Sequence, residues 1–360
     1  MIIAFQNSTE TLWLPVFSLN DRVYESPIYT FFAVLQFLIY IATAFIIVRT
    51  CKIFLAIKIF HENKNFLMAF FLFQWFEAIL AKMVILPYQI GLVTFGNTPG
   101  KSYFSWWSCD QQDMAFIKST DEILPLYLAS YVFRHYMFSM LGGIMAIGCE
   151  RACATFYIQD YEHVRRRHIP VLLIIGVNLF SIPYCYFVIH NEIPFMVIYG
   201  HWALCIVMVL VGYLVILKIN IVFRNKLEKC EVGEYTLARK FQVEENIRSL
   251  KIARKSVIVI MVYIFLTLLV FTCLMMGVFV DYKTVFVHIL ENFIVLPALI
   301  MSISLLMSSN AWSDQFLKGL PFIEKHYRKP RVGAYDFRQK QSIYSESELY
   351  FEQLKSSWKC

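Results

Sequence analysis

Seven ionisable side chains lie inside long apolar runs of this sequence, and they are its best candidates for binding chemistry. They are Glu77, Lys82, Arg134, His135, His201, His288 and Glu291. Because a charge in hydrocarbon is costly, such residues usually face the interior of a helix bundle or a water-filled cavity. Groups of this kind at a shared depth would bind a small molecule by ion pairing and hydrogen bonding.

Tyr131 joins this set because it lies four residues before His135, on the same face of a helix. The predicted ligand-binding residues are Lys82, Tyr131, Arg134, His135, His201, His288 and Glu291. The cations Lys82 and Arg134 would suit an anionic or hydrogen-bonding small molecule. The alternative is internal pairing, for example of Lys82 or Arg134 with Glu291, which would only fix the register of the helices.

The elements that must position these residues are seven apolar runs. Hydrophobic residues make up 58% of the chain and charged residues 16%, and a membrane crossing needs roughly 20 mostly apolar residues. The runs are continuously apolar instead of alternating, which excludes a β-barrel. The sequence therefore predicts an all-α membrane protein, a seven-transmembrane helix bundle between an N-terminal segment (1–26) and a tail (309–360). The predicted spans are about 27–48, 66–90, 123–148, 170–189, 195–217, 256–280 and 287–308.

The basic residues predict the orientation of this bundle. Of the 33 Lys and Arg residues, 27 fall in four alternate segments, 49–65, 150–169, 218–255 and 309–360. Cytoplasmic loops carry such an excess, so the N-terminus is predicted outside and the C-terminus inside. The net charge of +7 is then explained by anionic inner-leaflet lipid and not by nucleic acid. All the ionisable binding candidates except Glu77 fall in the outer half.

Other signals lie at the predicted inner side. Gly142 and Gly143 would permit close helix approach in the third span. At the end of that span, Glu150 and Arg151 can form a local ion pair that opens on activation and frees the arginine for a cytosolic partner. Helical spacing of charged and apolar residues in 241–254 predicts that the sixth helix extends into the cytosol. A short surface helix is predicted in 311–320.

Two stretches resemble one known family. They are Glu150-Arg151-Ala152-Cys153-Ala154-Thr155-Phe156-Tyr157-Ile158-Gln159-Asp160-Tyr161-Glu162 and the segment 235–250. They resemble the nematode serpentine receptors of class epsilon (Sre chemoreceptors) at the exit of the third span and before the sixth. The resemblance implies a chemosensory receptor for an external small-molecule cue, coupled to a heterotrimeric G protein in the plasma membrane of sensory-neuron cilia. The predicted coupling residues are Glu150, Arg151, Arg239, Lys240 and Arg248.

The sequence departs from that family at two points. Ala152 stands where the family usually has tyrosine, which puts coupling efficiency in doubt more than coupling itself. The seventh span has Leu296-Pro297 and lacks an Asn-Pro-x-x-Tyr element.

Two modifications are predicted in the external parts. Asn7-Ser8-Thr9 is an N-glycosylation sequon. Serpentine receptors often tie the start of the third span to the loop after the fourth by a disulfide, and here Cys185 is the only plausible partner of Cys109. The alternative is two free thiols. Trp106 and Trp107 in the loop 91–122 are either interface anchors or part of a lid over a binding cavity.

Two other function classes agree less well with the sequence. A polytopic transporter or ligand-gated channel is the alternative, but no internal repeat is visible and the charged residues form no path through the bilayer. An enzyme is not expected, because HExxH, GxSxG and phosphate-cradling glycine loops are absent from the sequence. The expected partners are a small molecule, a G protein and lipid, with no cofactor, metal or nucleic acid.

Overall fold

A computed structural model gives the fold of the chain for residues 1–6, 8–57, 60–95, 101–103, 110, 113–157, 166–228, 237–276, 278 and 282–318. The chain divides into two units, Met1–Ser313 and Asp314–Cys360. The helices of the described part are α1 (Pro27–Ala56), α2 (Glu62–Phe73), α3 (Trp75–Gln89), α4 (Leu124–Phe156), α5 (His168–Ile189), α6 (Phe195–Glu228), α7 (Leu237–Met275), α8 (Lys283–Val295), α9 (Pro297–Met307) and α10 (Asn310–Leu317).

Six stretches of helix are long and apolar enough to cross a membrane, with α2 and α3 forming one of them. Within the described residues, the pair α8 and α9, bent by 49°, brings the number to seven when the two helices are counted as one span. The bend falls at Pro297, which has no N–H to donate to the preceding turn. The prediction of a seven-helix bundle is confirmed, and each predicted apolar run overlaps one of these spans.

Helix α4 lies at the centre of the bundle and packs against α2, α3, α5 and α6. The two glycines in its middle let its neighbours approach closely, as predicted. A Cβ on Gly143 would stand 2.5 Å from the ring of Phe71 in α2, and one on Gly142 would stand 2.9 Å from Val177 in α5. Helices α1 and α6 instead expose many large apolar side chains, including Phe31, as expected of surfaces that face lipid.

A small β-sheet covers one end of the bundle, which we call the sheet end. Its strands are β1 (Ile2–Phe5), β2 (Thr11–Trp13) and β3 (Ala115–Ile117), in the order β2-β1-β3. Strand β1 is antiparallel to β2, with Ile3 opposite Leu12, and parallel to β3. The sequence prediction of an all-α chain did not include this sheet.

The N-terminal segment closes the sheet end because its apolar side chains turn into the helices. Trp13 and Phe17 are each 1% exposed. They join a core cluster with Phe138 of α4, Phe271 of α7 and Leu290 of α8. The segment that precedes the first span is therefore part of the core of the bundle.

At the opposite end, which we call the Glu150 end, α7 begins at Leu237, well before the predicted sixth span. Val243, Ile247 and Leu250 are buried there, whereas Lys240 and Arg248 are exposed. The predicted amphipathic extension of the sixth helix is confirmed.

Candidate functional site

A buried polar network joins α3 and α8 near the sheet end. Lys82 Nζ lies 2.6 Å from Glu291 Oε2 and donates to Gln89 Oε1 at 2.7 Å. The Gln89 amide in turn donates to Glu291 Oε1. All three residues are at most 8% exposed. Glu291 thus accepts from two partners, and its charge is neutralised by Lys82.

Groups from the N-terminal part of the chain surround this network. The Tyr24 hydroxyl lies 3.4 Å from His288 Nδ1, one turn before Glu291. Asp21 is 2% exposed, and its carboxylate accepts from the Val23 N–H at 3.0 Å. Burial raises the pKa of Asp21, and the Val23 N–H and His288 oppose the shift. His288 therefore contacts the N-terminal part of the chain through Nδ1.

A second network centres on His135 in α4. Its Nδ1 lies 2.8 Å from Glu77 Oε2 in α3, and its Nε2 lies 3.0 Å from Asn178 Oδ1 in α5. The Asn178 amide donates to the Ile174 carbonyl at 2.8 Å, which fixes its oxygen towards the ring. Both ring nitrogens of His135 therefore face side-chain oxygens of neighbouring helices.

The remaining candidates bind the N-terminal segment or α5. Arg134 is fully buried, donates to the Trp13 carbonyl at 3.1 Å and lies 4.6 Å from the centroid of the Trp13 ring. The Tyr131 hydroxyl donates to the Ile182 carbonyl. The His201 ring packs against three aromatic rings, the nearest being Tyr184 at 5.1 Å.

The structure thus departs from the single polar pocket that the sequence predicts. Lys82, Glu291 and His288 come together, whereas His135, Arg134, Tyr131 and His201 have separate surroundings. The internal pairing of Lys82 with Glu291, the alternative reading, is what the structure contains. The physical reason is that a charge buried in a bundle is stabilised by the nearest opposite charge or carbonyl. Which group is nearest depends on helix rotation.

An apolar cavity of about 160 Å³ lies in the bundle between α4, α6, α7, α8 and α9, beneath Phe17. None of the seven predicted ligand-binding residues lines it. We call this space the core cavity. Its lining residues are Phe17, Tyr136, Met137, Met140, Leu141, Ile144, Trp202, Ile260, Tyr263, Ile264, Thr267, Leu268, Phe271, Leu290, Phe293, Ile294, Pro297, Ile300 and Met301.

A second cavity, of about 360 Å³, lies at the Glu150 end among α1, α2 and α5. Its lining includes the polar residues Glu62, Asn63, Asn65 and Arg167. It is remote from the N-terminal segment that closes the sheet end.

At the Glu150 end the predicted ion pair is present. Arg151 donates from Nε and Nη2 to the two carboxylate oxygens of Glu150, both at 2.6 Å, and the pair is buried. Lys240 and Arg248 are exposed on α7. Arg239 lies in the same helix, and its side chain is outside the described part of the structure.

Sequence reasoning missed a series of interhelical hydrogen bonds, here called the polar chain, that connects α7 to its neighbours. The buried Asn220 of α6 donates to Thr155 Oγ1 of α4 at 2.8 Å, and Asn246 of α7 donates to Asn220 Oδ1 at 3.2 Å. Lys64 of α2 donates to Ser249 of α7 at 2.9 Å. The signal that could have identified Asn220 is its position among Ile219, Ile221 and Val222, just beyond the predicted span 195–217, because buried amides in helix bundles of membranes usually bond across helices.

Of the two cysteines in the predicted disulfide, only Cys185 lies in the described residues. Cys185 is a free thiol with a fully buried side chain in the core cluster around Trp13. Its side chain packs inside the bundle, where it is covered by its apolar neighbours. Cys109 lies outside the described residues, as do Asn7, Trp106 and Trp107.

Metal ligation has no candidate site in the part of the chain that the structure describes. In the described ranges, no group of three or more His, Cys, Asp or Glu residues is arranged to hold a metal ion.

The whole chain is similar to one group of proteins. The family model described as Sre G protein-coupled chemoreceptor matches residues 1–359. Serpentine receptor class epsilon-37 of Caenorhabditis elegans is 43% identical over 365 residues, covering 99% of this chain and 100% of that protein. Serpentine receptor class epsilon-38 of the same organism is 35% identical over 366 residues, again covering 99% and 100%. Serpentine receptor class epsilon-27 is 26% identical, with 96% of each chain covered.

Proposed function

Because the chain belongs to the Sre family of G protein-coupled chemoreceptors, we propose that it binds an external small molecule within the bundle and signals to a heterotrimeric G protein. The ligand enters from the sheet end, and the G protein binds at the Glu150 end. The site of action is the plasma membrane, in the cilia of sensory neurons.

The distribution of basic residues supports this orientation. The segments 49–65, 150–169, 218–255 and 309–360 hold 27 of the 33 Lys and Arg residues. The first three of these segments adjoin the Glu150 end, at the C-terminus of α4 and the N-terminus of α7. Cytoplasmic loops carry this excess, so the Glu150 end faces the cytosol in our proposal.

The buried Glu150–Arg151 pair is the observation that carries the coupling proposal. It lies one turn before Thr155, which accepts from the Asn220 amide in the polar chain to α7. A receptor needs two states and different contacts in each. In the resting state Arg151 is held by Glu150. In the signalling state α7 moves away from α4 and α6, and Arg151 contacts the G protein.

The exposed face of α7 completes the proposed coupling surface. Lys240 and Arg248 are exposed, while Ile247 packs against Val243 and Leu227 of α6. In our proposal Arg239 contributes to the same face. Complementary charge of this kind accelerates and orients association with an acidic partner.

Nucleotide exchange on a G protein tests this function. A screen of small organic compounds in cells that express the chain with a G protein would supply an activating compound. Arg151→Ala should then reduce ligand-stimulated exchange at least about tenfold at equal surface expression, because it removes a charged contact to the G protein. Arg167→Ala is the matched control, since Arg167 is exposed at the same end and is outside the proposed coupling set.

Two results would contradict the proposal. Equal exchange in the wild type and Arg151→Ala would remove the role of Arg151. Ligand-evoked current or substrate uptake in cells without the G protein would favour a channel or transporter.

A further inference from the structure

Nearly all of the surface that lines the core cavity consists of carbon atoms. Four lining residues carry a hydroxyl or an indole N–H: Tyr136, Trp202, Tyr263 and Thr267. Two of these groups are already engaged with backbone. Thr267 Oγ1 donates to the Tyr263 carbonyl at 2.9 Å, and the Tyr263 hydroxyl donates to the Asn292 carbonyl at 3.4 Å.

The other two polar atoms are buried without a hydrogen-bond partner. They are the hydroxyl oxygen of Tyr136, a residue that is 1% exposed, and Nε1 of Trp202. Buried tyrosine hydroxyls and indole N–H groups normally find a partner, because leaving them unbonded is costly. Both atoms belong to residues that line the same cavity but are themselves fully buried, so each side chain must turn towards the cavity before a bound molecule can supply the missing acceptor.

Charge and size narrow the class of that molecule. The lining residues described for this cavity include no Asp, Glu, Lys, Arg or His. The nearby charge of Lys82 is already neutralised by Glu291. A volume of about 160 Å³ is close to that of an engineered apolar cavity of about 150 Å³ that binds benzene.

We infer that the core cavity binds an uncharged, mainly hydrocarbon molecule of about the size of a six-membered ring that carries a hydrogen-bond acceptor oxygen, such as a ketone, ester or ether. Tyr136 and Trp202 donate to that oxygen, and Phe17 covers the molecule from the sheet end. This inference rests on the proposed function and gives the ligand class of the same receptor. It replaces the anionic ligand that Lys82 and Arg134 suggest from sequence.

Binding of matched probes to the purified full chain in lipid nanodiscs tests the inference. The probes are cyclohexanone, methylenecyclohexane, which has the same shape without the acceptor oxygen, and cyclohexanecarboxylate. Saturation-transfer NMR gives the Kd of each. In the wild type the ketone should bind most tightly and the carboxylate should not compete with it. Tyr136→Phe and Trp202→Phe should each raise the Kd of cyclohexanone up to about tenfold, since one hydrogen bond is lost.

The controls separate loss of the hydrogen bond from loss of the fold. Tyr136→Phe should leave the Kd of methylenecyclohexane unchanged. Tyr131→Phe, on the same helix, removes a hydroxyl that bonds to the Ile182 carbonyl outside the cavity, and it should leave the cyclohexanone Kd unchanged. Met140→Trp should fill the cavity and abolish binding of both neutral probes.

Three outcomes would overturn the inference. They are tighter binding of the carboxylate than of the ketone, an unchanged cyclohexanone Kd in both Tyr136→Phe and Trp202→Phe, and no binding of any probe to folded wild type. Because no G protein is present, failure of coupling would leave these measurements unaffected. Failure of binding would be seen without reference to signalling.

Discussion

At the scale of single residues, the ionisable groups near the sheet end are held by partners from other parts of the chain. Lys82 of α3 pairs with Glu291 of α8, and Arg134 bonds to the Trp13 carbonyl. Such contacts join elements that are distant in sequence. Their first effect is to fix the rotation and register of the helices, and the pairing leaves the core cavity without a charged lining.

The Lys82–Glu291 pair gives a prediction about stability. Lys82→Met or Glu291→Leu alone should lower the free energy of unfolding by about 3–5 kcal/mol, because each leaves a buried charge without its counter-charge. The double variant should recover most of that loss, since it removes both charges. Thermal unfolding in detergent, followed by tryptophan fluorescence, measures the effect.

The exposed Lys118 provides the control for this experiment. Lys118→Met changes the same side-chain type at an exposed position and should leave the unfolding temperature nearly unchanged. A double variant that loses as much stability as the sum of the single variants would show that the two side chains act independently.

At the scale of elements, α7 is held to the rest of the bundle at the Glu150 end by polar contacts among apolar ones. Asn246 bonds to Asn220, Ser249 accepts from Lys64, and Ser256 lies 3.0 Å from Ser304 of α9. Interhelical hydrogen bonds in membranes contribute about 0.6 kcal/mol each. Contacts of this strength can hold one arrangement and still be exchanged for another.

The hydrogen bonds of Asn220 to Thr155 and Asn246 predict a variant with raised basal signalling. Asn220→Leu removes the bonds from α6 to both α4 and α7, which destabilises the resting arrangement. Basal nucleotide exchange should rise roughly three- to tenfold, the range expected for one or two such bonds. Asn225→Leu is the control on the same helix, because Asn225 is exposed. If the basal exchange rate of Asn220→Leu is no higher than that of Asn225→Leu, the hydrogen bonds of Asn220 do not restrain signalling.

At the scale of the whole molecule, the two ends of the bundle differ in construction. The sheet end is closed by the N-terminal segment, whose Trp13 and Phe17 enter the core. The Glu150 end adjoins three of the basic segments, 49–65, 150–169 and 218–255, and carries the exposed face of α7. A receptor with the sheet end outside would have its N-terminal segment over the ligand and its basic surface towards the G protein.

Glycosylation tests this orientation. Ser8 and Thr9 of the sequon are exposed, and only the luminal side of the secretory membrane carries the glycosylation machinery. The wild-type chain from animal cells should therefore show an endoglycosidase-sensitive mass that Asn7→Gln abolishes. Asn97→Gln is the matched control, because Asn97-Thr98-Pro99 is not an acceptor. Glycosylation of a sequon introduced into 218–255 would show that this segment lies on the luminal side and would contradict the proposed orientation.

Much of the fold could be predicted because its signals are local in sequence. Apolar runs long enough to span a bilayer predict helices wherever they fold. Glu150 and Arg151 are adjacent, so their pairing needs only one helix end. The small side chains of Gly142 and Gly143 permit close approach whichever helices are the neighbours. The early start of α7 followed from the helical spacing of its own residues.

Only the tertiary structure decided what the buried residues contact. The Lys82–Glu291 bond spans 209 residues, and it exists because α3 and α8 are neighbours with particular rotations. The β-sheet needs β1 to meet β3 across more than a hundred residues, and the core cavity needs five helices and Phe17 to leave a common gap. A sequence pattern specifies which side of each helix is apolar. It does not specify which helices meet or how they are rotated. Because of those contacts and rotations, the structure has paired charges beside an apolar cavity where the sequence predicts a polar pocket.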